Sequence, residues 1–105
     1  MRIFLLALLI STPALAEIPV NGMYRCVNGN NNSICDQEIR VKVIGSKATA
    51  VKVMYEGDCA GQGPYTYYCQ DSECTDGAIY IRFKDQNSYS WENRPHGFHC
   101  EMKKI

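Results

Sequence analysis

Apolar and polar residues alternate in short runs along most of this chain, with Gly, Asn, Asp, Ser and Pro between the runs. Period two is the mark of a strand with one buried face, and no stretch keeps a helical period. The clearest pair begins where Ile39, Val41 and Val43 alternate with Arg40 and Lys42. Gly45-Ser46-Lys47 turns the chain, after which Thr49, Val51, Val53 and Tyr55 alternate with Ala48, Ala50, Lys52 and Met54. This predicts a hairpin with the first set facing inward. Further strands are expected over Gly22 to Val27, Tyr65 to Cys69, Ala78 to Lys84, Tyr89 to Glu92 and Phe98 to Lys103. The glycine-rich stretch Glu56 to Pro64 and the polar stretches Asn28 to Ser33, Gln70 to Gly77 and Asn93 to Gly97 read as loops and turns. Six or seven sequential strands imply an all-β antiparallel meander that closes into a small barrel or sandwich, which hides its edges.

The first sixteen residues do not follow this pattern. Arg2, the apolar run Ile3 to Ile10, Pro13 and Ala14-Leu15-Ala16 have the layout of a cleavable signal peptide. The apolar run is shorter than the about 20 residues a membrane span needs, and no lipid-accepting cysteine follows it. The expectation is a leader over 1–16 and a single domain over 17–105 with no membrane anchor, in the periplasm or secreted. All six cysteines (Cys26, Cys35, Cys59, Cys69, Cys74 and Cys100) fall in that domain. An even count in a small exported chain implies three disulfides that stabilise a modest core. Closure of the meander would bring Cys26 beside Cys100, and a local Cys69–Cys74 bridge would leave Cys35 with Cys59. Spacing alone does not choose among the connectivities. Basic and acidic residues are evenly matched, which offers nothing like the basic surface that binding a phosphate backbone requires.

Two groups of residues carry candidate chemistry. Glu92, Arg94, His96 and His99, with Glu101 beside them, hold the side-chain types of a small secreted nuclease, an acid–base pair plus a cation for phosphate. Positions three apart in a strand face opposite ways, however, and a charged hairpin tip is the plainer reading. The same histidines with Glu92 and Cys100 suggest a metal or ligand carrier, except that oxidation removes the thiol as a ligand. No catalytic residue, metal site or cofactor is assigned, and the Gly57 to Gly63 stretch does not precede a helix as a phosphate loop would. The second group is aromatic: Tyr65, Tyr67 and Tyr68 after the glycine-rich loop, with Tyr80, Tyr89 and Trp91 on later strands. Tyr67 and Trp91 suit a core, whereas Tyr65 and Tyr68 cannot both point inward. Loop tyrosines of this kind suit a contact surface.

Tyr24-Arg25-Cys26-Val27-Asn28-Gly29 matches a Tyr-x-Cys-x-x-Gly pattern, and Asp76-Gly77-Ala78-Ile79-Tyr80 followed by Tyr89-Ser90-Trp91-Glu92-Asn93 approximates a Ser-Gly-x-x-Tyr segment and aromatic strand. In these features the chain resembles the periplasmic C-type lysozyme inhibitors. The resemblance implies an eight-stranded antiparallel barrel, a clasp between the chain's two ends through Cys100, and inhibition by loops that enter a partner's cleft. The family's inhibitory serine falls on Asp76, next to Thr75, and no lysine stands where that family has Lys-Gly. The expected function is therefore non-enzymatic binding of another protein by a monomer, the partner a lysozyme-like hydrolase. The expected contact residues are Tyr65, Tyr68, Thr75, Asp76, Tyr80, Trp91, Asn93 and His96.

Overall fold

A computed structural model describes residues 17–30 and 34–105; the leader read over 1–16 lies outside the described residues, as do Asn31, Asn32 and Ser33. Eight strands follow in order: β1 (Gly22–Gly29), β2 (Gln37–Ile44), β3 (Lys47–Tyr55), β4 (Tyr65–Gln70), β5 (Glu73–Thr75), β6 (Ile79–Asp85), β7 (Ser88–Asn93) and β8 (Phe98–Lys104). Each pairs antiparallel with the next, and β8 pairs with β1 to close a barrel. Closure gives every strand a neighbour on both sides, which is the usual way a small all-β chain avoids edge-to-edge association. The interior is filled by Tyr24, Ile39, Val51, Val53, Tyr67, Ile81, Tyr89, Trp91 and Met102, with Cys74 and Cys100 among them. The disulfides join Cys26 to Cys100, Cys35 to Cys59 and Cys69 to Cys74, the same pairs drawn from the strand order.

Three features differ from the sequence expectation, and each has a local cause. β5 lies inside the stretch read as a polar turn. It is three residues long, and only its middle residue, Cys74, points inward, so it has too few positions to show a period. In the β2–β3 hairpin Lys42 pairs with Ala50 but Val43 pairs with Ala48, leaving Thr49 as an extra residue. A bulge of this kind reverses the faces beyond it, so Ala48 is buried where Thr49 had been expected to be. Val43 is exposed although it alternates with Ile39, because the hairpin tip overshoots its neighbours: β1 meets β2 only at Gln37, Glu38 and Ile39.

The barrel has unlike ends. Residues 17–21, the short turns 45–46, 71–72 and 86–87, and Ile105 lie at one end. There Pro19 is fully buried and Ile18 packs on the core. The Val20 amide donates to the Gln86 carbonyl, and the Tyr24 hydroxyl donates to the Val20 carbonyl at 2.7 Å. This segment, to which the sequence pattern gave no role, stoppers the barrel. The longer connections 56–64, 76–78 and 94–97, with the described residues of 30–36, gather at the opposite end.

Candidate functional site: the barrel mouth

The four long connections frame an open cleft of about 470 Å³ at the unstoppered end. Its walls come from inward-facing residues at the ends of strands, where the barrel interior meets the loops. Tyr55 closes β3, Tyr65 opens β4, Ile79 opens β6, Asn93 closes β7 and Phe98 opens β8. Tyr67 and Trp91, one step deeper, form the floor, and the Cys35–Cys59 bridge with Ile34 and Gln62 completes the rim.

Polar atoms of the floor satisfy one another. The Trp91 indole N–H donates to the Tyr55 hydroxyl at 3.3 Å, and the Tyr55 and Tyr67 hydroxyls are 3.5 Å apart. Deeper still, the Tyr89 hydroxyl donates to Gln37 Oε1 at 2.6 Å, while the Gln37 amide nitrogen has no hydrogen-bond partner among the described residues. Burial raises the Tyr67 phenol strongly, with the neighbouring Tyr55 and the Asp76 carboxylate adding to it. Burial also raises Tyr55, again with a contribution from Asp76.

Hydrogen bonds tie several neighbouring connections of the rim to one another. Asn30 donates through Nδ2 to the Gly97 carbonyl and accepts from the His99 amide through Oδ1. The Glu56 amide donates to the Asp36 carbonyl beside the Cys35–Cys59 bridge, and the Arg94 amide donates to the Ala78 carbonyl. The Thr75–Ile79 turn is the most tightly held. The Thr75 hydroxyl donates to the Ile79 carbonyl at 2.7 Å and accepts from the Gly77 amide, while Asp76 Oδ1 accepts from the amides of Ala78 and Ile79. Gly77 has φ +97°, a conformation that suits glycine.

Of the eight expected contact residues, Tyr65, Asp76, Trp91 and Asn93 line the cleft. Thr75 stands at its rim as the brace of the turn. The other three are not among its lining residues. Tyr68 projects from the outer wall, 71% exposed. Tyr80 faces outward with the Arg94 guanidinium 3.5 Å from its ring centre. His96 stacks on Phe98 at the edge of the mouth, with ring centres 5.7 Å apart. Ile34, Tyr55, Gln62, Ile79 and Phe98 belong to the cleft but were not expected there. For Tyr55, Ile79 and Phe98 the signal is an inward strand residue next to a long loop, which needs the register to be known, whereas Ile34 and Gln62 are loop residues beside the Cys35–Cys59 bridge.

The acid–base cluster assembles only in part: Glu92, His99 and Glu101 line one pocket on the barrel wall together with Glu73 and Arg82, and His96 is not among its lining residues. Arg94 Nε is bonded to Glu92 at 2.9 Å. His96 packs on Phe98, whose neighbour His99 takes the other face of β8 and pairs across the wall with Glu92. Cys100 is bonded to Cys26, and no group of three or more His, Cys, Asp or Glu side chains able to hold a metal is found among the described residues.

The fold and its mouth define a class: a small closed antiparallel barrel, stapled by three disulfides, stoppered at one end and open at the other within a cross-linked rim. Three disulfides fit an oxidising compartment, and among the described residues no helix is long and apolar enough to cross a membrane. Comparison with protein-family models, with curated proteins and with solved structures gives no match.

Proposed function

We propose that this chain is an exported, non-enzymatic binding module that docks the rim of its mouth against another protein and blocks a cleft there. The supporting observation is the set of hydrogen bonds and the disulfide that fix the described residues of the rim. Binding costs the freedom of whatever must be ordered on contact, and a loop already fixed by its own hydrogen bonds and a disulfide avoids much of that cost. The Thr75–Ile79 turn meets this condition, with four hydrogen bonds to the Thr75 and Asp76 side chains. It is tied to the 94–97 turn beside it through the Arg94 amide.

The resemblance to the periplasmic lysozyme inhibitors supports a lysozyme-like hydrolase as the partner, and the signal-like leader and the disulfides support export. The oxidised protein is added in equal amounts to a C-type lysozyme, and lysis of cell-wall substrate is followed. Inhibition near a one-to-one ratio is expected. Full lysozyme activity at a large excess of the protein would refute the partner, and RNA hydrolysis abolished by His99→Ala would refute the non-enzymatic reading.

A further inference from the structure

We propose that the mouth cleft is a receptor for an organic ammonium group, held against the aromatic walls and the Asp76 carboxylate. The inference rests on the mouth being the binding face, as proposed above, but not on the partner being a lysozyme. Two independent observations carry it. The first is the lining. Tyr55, Tyr65, Tyr67, Trp91 and Phe98 contribute five rings, the rings of Tyr55 and Tyr65 meeting at 60° with centres 5.9 Å apart. Asp76 is the charged residue among the lining residues, and none of them is Lys or Arg. Aromatic walls plus one anion form the environment that attracts a weakly hydrated cation, through ring quadrupoles and direct charge.

The second observation is the distribution of charge along the barrel. The described residues of the four mouth connections include Asp36, Glu56, Asp58 and Asp76 against Arg94. Arg94 is paired with Glu92 and lies over Tyr80 on the outer wall, so its charge is already engaged away from the cleft. Asp36 is paired with Arg25. Toward the stoppered end the charges are nearly balanced, with Lys47, Lys84, Lys103 and Lys104 beside Glu17, Asp71 and Asp85. The overall balance of charge conceals a barrel whose mouth is acidic. A field of that sign draws a cation toward the opening and turns away carboxylates and phosphates.

One carboxylate oxygen of Asp76 accepts from the Ala78 and Ile79 amides. Asp76→Asn keeps an oxygen for those bonds while removing the charge, so the turn is retained. Trp91 is the chain's single tryptophan and sits at the floor, where it reports occupancy directly. The oxidised protein is titrated with choline and with 3,3-dimethyl-1-butanol, its neutral isostere, following Trp91 fluorescence and backbone amide shifts. Choline is expected to saturate and to bind at least about tenfold more tightly than the isostere. Asp76→Asn should weaken choline by roughly fivefold and leave the isostere unchanged. Tyr65→Leu, which removes an exposed wall, should weaken choline as well and serves if the Asn variant fails to fold. A short neutral peptide carrying one lysine separates the two sources of the group: tighter binding than choline assigns it to a partner's side chain, weaker binding to a small amine. Equal affinity for choline and its isostere, or no saturable response to choline up to about 100 mM, overturns the proposal. Lysozyme left uninhibited while choline binds would refute the partner but leave the ammonium site standing.

Discussion

Tyr24 shows how one side chain can serve several parts of the barrel. Its ring lies 4.9 Å from that of Tyr89 in the core, and its hydroxyl holds the stopper at Val20. Burial pushes its phenol up to about 12, helped by the charge of Asp85. Tyr55, Tyr67 and Tyr89 are raised too, each chiefly by burial. The sign of the consequence follows from which state releases protons first. An unfolded tyrosine ionises near pH 10, whereas the folded ones keep their protons beyond it. In that interval the unfolded chain binds fewer protons, so stability is full below about pH 10 and falls as pH rises through the folded values. The urea midpoint should be flat near about pH 8 and drop steeply by about pH 11, with tyrosinate absorbance from these four residues appearing together with unfolding. Ionisation of all four in a chain that remains folded would contradict the assignment.

Among the elements, the Tyr24 to Gly29 segment is the one whose motif the structure explains in full. Tyr24 fills the core, Cys26 clasps β8 through Cys100, and Gly29 lets β1 approach β8 closely. A Cβ at Gly29 would overlap the His99 carbonyl oxygen and lie 3.0 Å from the Cys100 Cα, both backbone atoms with little room to yield. Gly29→Ala should therefore cost roughly 1–3 kcal/mol, read as a lower urea midpoint; an unchanged midpoint would mean that the two strands can part without loss. The motif closes the barrel. The β2–β3 hairpin was legible in the sequence because Ile39, Val51 and Val53 sit on an unbroken period. Ala48 was not, because a single extra residue at Thr49 reverses the face and leaves no trace in composition. In the cleft, Tyr65, Asp76, Trp91 and Asn93 were legible as aromatic or loop residues. Tyr55, Ile79 and Phe98 were not, because their role depends on which strand ends meet at the same rim.

At the scale of the molecule, the three disulfides close loops of very different length, with separations of 74 residues for Cys26–Cys100, 24 for Cys35–Cys59 and 5 for Cys69–Cys74. In the chain-entropy picture they contribute roughly 4.5, 3.5 and 2 kcal/mol in that order. Paired Cys→Ser replacements should lower the unfolding free energy in the same ranking, measured by urea titration of each variant. A larger loss from the Cys69/Cys74 pair than from the Cys26/Cys100 pair would show that native packing, not restriction of the unfolded chain, dominates. Losing the Cys35–Cys59 bridge should in addition weaken ligand binding, because that bridge forms part of the rim.

The meeting of β1 with β8 brings Glu17 and Ile105 to the stoppered face, pointing away from the mouth. Anything fused or immobilised through Ile105 thus leaves the opening facing solution, as a lamp hangs from its cord. A support grafted at Asp58, on the rim, would bury the opening against its own surface.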